Sequence, residues 1–368
     1  MSDAVPPVVP LLDLDGDVVE LLRDLVDIES VSGNEGPITD AIETALRGYP
    51  HLEVIRDGNV LVARTNLGRA SRVVVAGHTD TVPLTSEPNL PCRIEGEGDD
   101  TILIGRGTCD MKGGVAVALA AAAALTEPRH DVTWIFYDNE EVEAEKNGLL
   151  RISRTRPELL AGDFAVLGEP TAARIEGGCQ GTLRVQATFT GRAAHSARAW
   201  MGHNAIHDAA DFLARLQAYE PVQPWVDGLQ YHEGLNAVKI TGGIAGNVIP
   251  DRCTVEVNYR FAPDKSAEEA LAWVRDYFSG FELEVTDLAA GARPGLDQPA
   301  AADFIAAVGG EPKPKHGWTD VALFASVGVP AVNFGPGDPI KAHADDEFCP
   351  ASQVYACRDA LIRWLTGA

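Results

Sequence analysis

Basic residues are scarce in this chain: 30 Lys and Arg stand against 54 Asp and Glu, a formal net charge of −24 over 368 residues. Such an imbalance opposes nucleic-acid binding, and it means that an anionic ligand must find local cations strong enough to overrule the net field. Long apolar runs are also missing. None reaches the ~18 uninterrupted residues of a membrane span, so no membrane partner is expected. The opening MSDAVPPVVPLLDLDGD has no basic stretch ahead of its apolar one, which argues against a secretory signal. The six cysteines, at 92, 109, 179, 253, 349 and 357, form no CxxC pair. A reduced cytoplasmic setting is expected rather than a disulfide framework. No internal repeat, low-complexity linker or charge block interrupts the chain.

What is present is a set of apolar runs that end in metal-binding side chains. RVVVAG at 72–77 is rich in β-branched residues and runs into His78, VTWIFY at 132–137 runs into Asn139, Glu140 and Glu141, and FAVLGEPT at 164–171 delivers Glu169. Each reads as a buried strand. Between the first two, residues 111–125 form an Ala/Val/Leu-rich helix able to cross the sheet face, with Asp110 in the Gly-rich loop before it. The loops at strand ends of an α/β sheet converge on one site, so an imidazole, a lone aspartate and paired glutamates there point to a carboxylate-rich metal centre. An acidic run such as NEEVEAE is by itself more often a solvated helix face. Its place directly after an apolar strand, with matching partners elsewhere, favours the ligand reading. Cys109 beside Asp110 is read as a small packing residue. His203 and His207 have i, i+4 spacing but no glutamate between them, and are read as the surface of a helix.

GHTDTVP at 77–83, GRGTCDMKGG at 105–114, NEEVE at 139–143, Glu169, and a distant His343 in KAHADDE resemble, in order and local context, the M20 metallopeptidase family over nearly the whole chain. Within it the likeness is greatest to the succinyl-diaminopimelate desuccinylases, through NEEVEAEKNGL, AAHSARAWMGHNAIH and GWTDVALFA. The resemblance implies two zinc ions, with cobalt or manganese able to fill the same nitrogen and oxygen sites. Asp110 matches the bridging carboxylate. His78 and Glu169 would complete one site, and Glu141 and His343 the other. Asp80 would accept the second ring N–H of His78. Glu140, next to a ligand without being one, is the candidate general base. His195 resembles a histidine that reaches into the site from a second subunit as an oxyanion donor, which implies a homodimer through a lid domain.

The fold expected is α/β: a central mixed, mostly parallel sheet with helices on both faces, plus an inserted α+β ferredoxin-like lid. A chain of 368 residues exceeds one comfortable core. The catalytic domain is expected over residues 1–180 and 291–368, and the lid over 181–290. The lid reads as strand (182–191), helix (203–216), strand (236–243), strand (252–261), helix (267–278) and strand (281–287), the β-α-β-β-α-β order. Arg260 in NYRFAPD is the candidate carboxylate clamp, with Asn247 in NVIP and Thr319 in GWTD as further substrate contacts. Trp318 and the Gly337-Asp338-Pro339 turn depart from the family pattern as we read it. The function implied is hydrolysis of N-succinyl-LL-2,6-diaminopimelate, a small N-acyl amino acid. Acetylornithine deacetylases, acyl amino acid hydrolases and carboxypeptidases share the metal shell and are the alternative. A non-catalytic binding protein of the same fold is a third reading, disfavoured because binding alone has no use for the spare acid Glu140.

Overall fold

The computed structural model describes residues 11–85 and 89–367; the first ten residues of the amino-terminal segment read above lie outside the described residues. The chain separates into two compact units. One comprises Met1–Gly177, Gly295–Lys313 and Leu323–Ala368, and the other Gly178–Pro294 with Pro314–Ala322.

The first unit is built on an eight-stranded sheet, in the order Glu53–Asp57, Val60–Arg64, Asp131–Tyr137, Arg72–His78, Phe164–Leu167, Ala331–Asn333, Glu176–Gly177, Lys313–Pro314. Its four middle strands from Asp131 to Asn333 run parallel. The sheet is therefore mixed and mostly parallel, and helices flank it. Every residue of Asp131–Tyr137 is buried, as a parallel strand covered on both faces requires. The helix Lys112–Ala124 follows from an alanine-rich sequence of high helix propensity and is buried almost all round. It lies so close to the end of Phe164–Leu167 that a Cβ on Gly114 would stand 2.1 Å from the Gly168 carbonyl oxygen, and one on Gly335 2.2 Å from the same atom. Glycine alone allows that approach. Phe164, Phe304 and Trp364 close the core as a mutually edge-on or tilted aromatic trio. The closing helix Ala351–Thr366 stops at Gly367 in the left-handed conformation.

The strand read from FAVLGEPT ends at Leu167, so Glu169 stands just beyond it as the sequence indicated. A small sheet of Phe348–Pro350, Ile102–Ile104 and Arg93–Glu95 was not foreseen, since three-residue runs leave no periodicity to read.

The second unit holds an antiparallel four-stranded sheet in the order Gly234–Gly242, Arg252–Phe261, Gly181–Thr190, Leu283–Ala289. Burial alternates along Arg252–Phe261, the mark of a sheet with one covered face. Phe212 stacks on Phe278 at 4.4 Å and Tyr259 on Trp273 at 4.8 Å. The helix Ala267–Tyr277 opens with a capping box of Ser266 and Glu269. The expected helix over 203–216 is instead two, Ala205–Asp208 and Ala210–Gln217. Pro314–Ala322, expected with 291–368, groups with this unit. The Trp318 indole donates to the Ala290 carbonyl at 3.0 Å and the Cys179 thiol to the Thr319 carbonyl at 3.6 Å. All six cysteines are free and buried, and no helix among the described residues is long and apolar enough to cross a membrane.

Candidate metal centre

Parallel register carries the acidic and imidazole groups to one end of the first unit's sheet. His78 is the last residue of its strand and pairs with Tyr137, so Glu140 and Glu141 emerge just beyond the neighbouring strand. On the other side Ala76 pairs with Leu167, which brings Glu169 level with His78, each two residues further on. This is the carboxyl end of parallel strands, where α/β sheets build their sites. Asp110 enters from the loop ahead of Lys112–Ala124, and His343 from the loop after Pro339–Lys341. Two non-glycine residues here have left-handed backbones, Asn139 at φ 60° and His343 at φ 64°. Such conformations cost free energy and persist where the surroundings dictate them.

One carboxylate faces two imidazoles. Asp110 Oδ1 lies 3.3 Å from His78 Nε2, and Asp110 Oδ2 lies 3.2 Å from His343 Nε2. His343 Nε2 also lies 3.0 Å from Glu141. His78, Asp110 and Glu141 offer donor atoms all within 4.8 Å of one another. Two donors on one tetrahedral ion at 2.0–2.2 Å stand about 3.4 Å apart, so the 3.0–3.3 Å separations of His78 from Asp110 and of His343 from Asp110 and Glu141 suit ligands of a common ion. Asp110 Oδ1 is buried and, beyond its 3.3 Å contact with His78, has no well-formed hydrogen bond among the described residues, an acceptor that a cation would satisfy. Nitrogen and oxygen donors of this kind, with no thiolate among them, fit zinc and other divalent first-row metals.

Charge tells the same story. Burial disfavours a charged His78, but the Asp110 and Asp80 carboxylates and the nearby Glu140 outweigh it and raise its pKa well above 6.5. Asp110 and Glu141 push His343 up to about 10 against its partial burial. Burial alone would raise Asp110, yet the two imidazoles hold it below the usual carboxylate range. The centre attracts positive charge, and protons supply it where metal does not.

Asp80, wholly buried, stands beside the His78 ring as expected and also serves the neighbouring loop. His78 Nδ1 meets the Asp80 backbone carbonyl at 3.0 Å and the carboxylate only at 3.5 Å. The carboxylate also accepts from the backbone amides of Glu140 at 3.0 Å and Glu141 at 3.1 Å, and from the Ser32 hydroxyl at 2.7 Å. It therefore fixes the loop that carries Glu140 and Glu141 while its own main chain orients His78. Burial alone would raise its pKa, but the neighbouring His78 imidazole first, and then the Ser32 hydroxyl and the Glu140 amide, hold it below the usual carboxylate value. Glu169 is buried.

His195, Asn247, Arg260 and Thr319 all belong to the second unit. Here His195 and Asn247 are neighbours: Ser196 N–H donates to the Asn247 carbonyl at 2.9 Å, and His195 bridges Val248. His195 is exposed and caps the short helix Ser196–Met201, its Nδ1 accepting from Ala197 N–H at 3.0 Å. That bond leaves the ring proton on Nε2, pointing a donor outward. Arg260 is half-buried, and its Nη1 has no hydrogen-bond partner among the described residues. His203, also exposed, pairs with Asp208 at 2.6 Å. Sequence reasoning missed Arg106 and Glu347, a buried ion pair behind Asp110 and His343. The signals available were an arginine between two glycines and an acid directly before the Phe348–Pro350 strand, whose Cys349 is buried.

Comparison with known proteins adds three findings. Residues 74–366 match the model of peptidase family M20/M25/M40. A Mycobacterium tuberculosis protein provisionally named a succinyl-diaminopimelate desuccinylase is 52% identical, covering 97% of this chain and 100% of the relative; the succinyl-diaminopimelate desuccinylase of Corynebacterium glutamicum is 49% identical, covering 97% and 98%. Among solved structures, a Bacillus subtilis protein described as a dinuclear metal binding peptidase of the M20 family superposes with a TM-score of 0.71 at 18% identity, over 96% of this chain and 98% of that one.

Proposed function

The chain belongs to the M20/M25/M40 peptidase family, and from that premise we propose that it hydrolyses N-succinyl-LL-2,6-diaminopimelate to succinate and LL-2,6-diaminopimelate in lysine and diaminopimelate biosynthesis. The observation that carries the substrate is near-full-length identity of 52% and 49% with two relatives bearing desuccinylase names. Support for catalysis, as against binding alone, comes from Glu140, an acid placed beside the donor set in addition to it.

In this reading His78, Asp110 and Glu169 hold one zinc ion and Glu141, His343 and the shared Asp110 a second; cobalt or manganese fits the same donors. When bound, such a pair polarises an amide carbonyl and lowers the pKa of the attacking water. Glu140 takes the water's proton and returns it to the leaving amine, so that water and amide become carboxylate and amine. Asp80 serves by holding the Glu140 and Glu141 amides. The outward Nε2–H of His195 donates to the oxyanion in the partner subunit of a homodimer. Self-association through the second unit is supported by its edge strand Gly234–Gly242, exposed from Asn236 onward with Val238 57% and Ile240 52% accessible, a strand edge and apolar patch that natural proteins rarely leave bare. Arg260, with a buried donor lacking a partner among the described residues, clamps the succinyl carboxylate, and Asn247 and Thr319 add further contacts. The reaction takes place in the cytoplasm.

Amine release from N-succinyl-LL-2,6-diaminopimelate, N-acetylornithine and simple dipeptides, with metal content measured on the same sample, tests this. Selective turnover of the succinyl substrate by metal-loaded protein is expected. Preference for either other class moves the chain to another M20 activity, and metal binding without turnover of any favours a binding role.

A further inference from the structure

Asp110 and His343 sit on two irregular loops 233 residues apart, and both must hold their side chains to within a fraction of an ångström if they are to share an ion. The link between those loops is a buried ion pair that the proposed reaction does not use. Glu347 is 1% and Arg106 4% exposed, and Arg106 Nη1 donates to Glu347 Oε2 at 2.8 Å. The other carboxylate oxygen, Oε1, accepts from the backbone N–H of Cys109 at 3.0 Å and of Asp110 itself at 3.1 Å. Arg106 Nη1 donates again, to the carbonyl of Ala344 at 3.2 Å, the residue after His343. Two further ties join the same loops: Gly105 N–H to the Glu347 carbonyl at 3.2 Å and the Cys109 thiol to the Asp338 carbonyl at 3.1 Å.

We infer that Glu347 and Arg106 are positioning residues for the metal pair, a charge-balanced strap that fixes the Asp110 backbone from one side and the His343 loop from the other. The inference rests on reading His78, Asp110, Glu141 and His343 as metal ligands. Its chemistry is specific. Glu347 accepts at both oxygens, from the Arg106 guanidinium and the Cys109 and Asp110 amides, and these donors favour the charged form that burial opposes. Glutamine has the same size but turns an N–H₂ toward donors whichever way it lies. Because Arg106 neutralises Glu347 within the buried pair, the strap adds rigidity behind Asp110 without placing a competing charge there. Partners behind a metal's ligands are known to be worth 10–100-fold in affinity.

The test is zinc affinity by competition with a chromophoric chelator on purified full-length protein, wild type against Glu347→Gln and against the double variant Arg106→Met/Glu347→Gln. Circular dichroism and melting of the metal-free forms are recorded alongside. The double variant leaves no unpaired buried charge, so it stays informative if Glu347→Gln alone does not fold. The inference expects folded variants whose zinc affinity is about 10–100-fold weaker, with the double variant losing little more than the single one because both act through one network. A role confined to the fold would lower the melting temperature and leave zinc affinity in the folded protein at the wild-type value, and that result overturns it. Failure of the wild type to bind zinc stoichiometrically overturns the metal reading beneath it, whatever the variants do.

Discussion

The candidate site residues of the two units differ in how far their partners are already in place. In the first, His78 and Asp80 are almost fully buried, and His78, Asp80, Asp110, Glu141 and His343 meet one another or the main chain at 3.0–3.5 Å. In the second, His195 stands exposed, Trp200 is 77% accessible, and the half-buried Arg260 keeps a donor unpartnered among the described residues. A group that desolvation has already matched to fixed partners is prepared for something small, an ion. Groups left facing solvent or unpaired are prepared for something larger, which in the proposed function is substrate and a second copy of the chain. The contrast explains why metal binding and assembly can be probed separately.

The largest effect expected is loss of metal. Asp110→Ala should lower zinc content from two ions per chain toward none and abolish turnover, because one carboxylate serves both ions. His195→Ala should lower turnover and leave zinc content unchanged. Metal analysis that found the two variants alike would erase the distinction between the units.

Next comes complementation. Mixed after subunit exchange, His195→Ala and Glu140→Gln chains, each nearly inactive alone, should regain at most about half of wild-type activity, since one site per heterodimer holds both intact residues. With exchange verified by mass, no recovery would place the action of His195 within its own chain or nowhere.

Titration sharpens the first unit's side of the contrast. In metal-free protein His343 keeps its proton to about 10, against 6.5 for an ordinary histidine. A raised folded pKa adds stability that is complete below pH ~6.5 and lost as pH climbs through about 10. The melting temperature of chelator-treated protein should therefore fall across that window, while zinc, which must displace protons, binds more tightly as pH rises. A flat melting profile together with zinc affinity that falls as pH rises contradicts the geometry at His343.

The smallest effect is in packing. In the helix Lys112–Ala124 an alanine at 114 would gain ~1 kcal/mol of helix propensity, but its Cβ would strike the Gly168 carbonyl at 2.1 Å. A backbone contact cannot step aside, so Gly114→Ala should cost about 1–3 kcal/mol by urea denaturation. Gly246→Ala in the second unit, with nothing within 4 Å, should be near neutral.

Much of this was legible in the sequence because strand and ligand coincide: RVVVAG and VTWIFY announce buried strands, and His78 and Glu140–Glu141 stand where such strands end. The lid's order of elements was legible for the same reason, since alternation along Arg252–Phe261 reports its own burial. What escaped depends on the direction of hydrogen bonds in loops. Nothing in the spacing of His78 and Asp80 says that the carbonyl as well as the carboxylate faces the ring, nor that the carboxylate also holds the Glu140 and Glu141 amides. Arg106 and Glu347 meet only because a three-residue strand pairs Phe348 with Ile104, too short a run to leave a pattern. Pro314–Ala322 joins the second unit through Trp318 and Thr319, contacts that no local propensity encodes.

The central claim is that Glu140 is an acid beside the metal ligands and not one of them. Glu140→Gln, assayed for zinc content and for hydrolysis of N-succinyl-LL-2,6-diaminopimelate on one preparation, tests it directly. The account predicts zinc content equal to wild type and kcat lower by at least ~10²-fold, the lower range for a positioned general base. Zinc lost along with activity would make Glu140 a ligand, and wild-type kcat with zinc retained would remove it from the chemistry altogether.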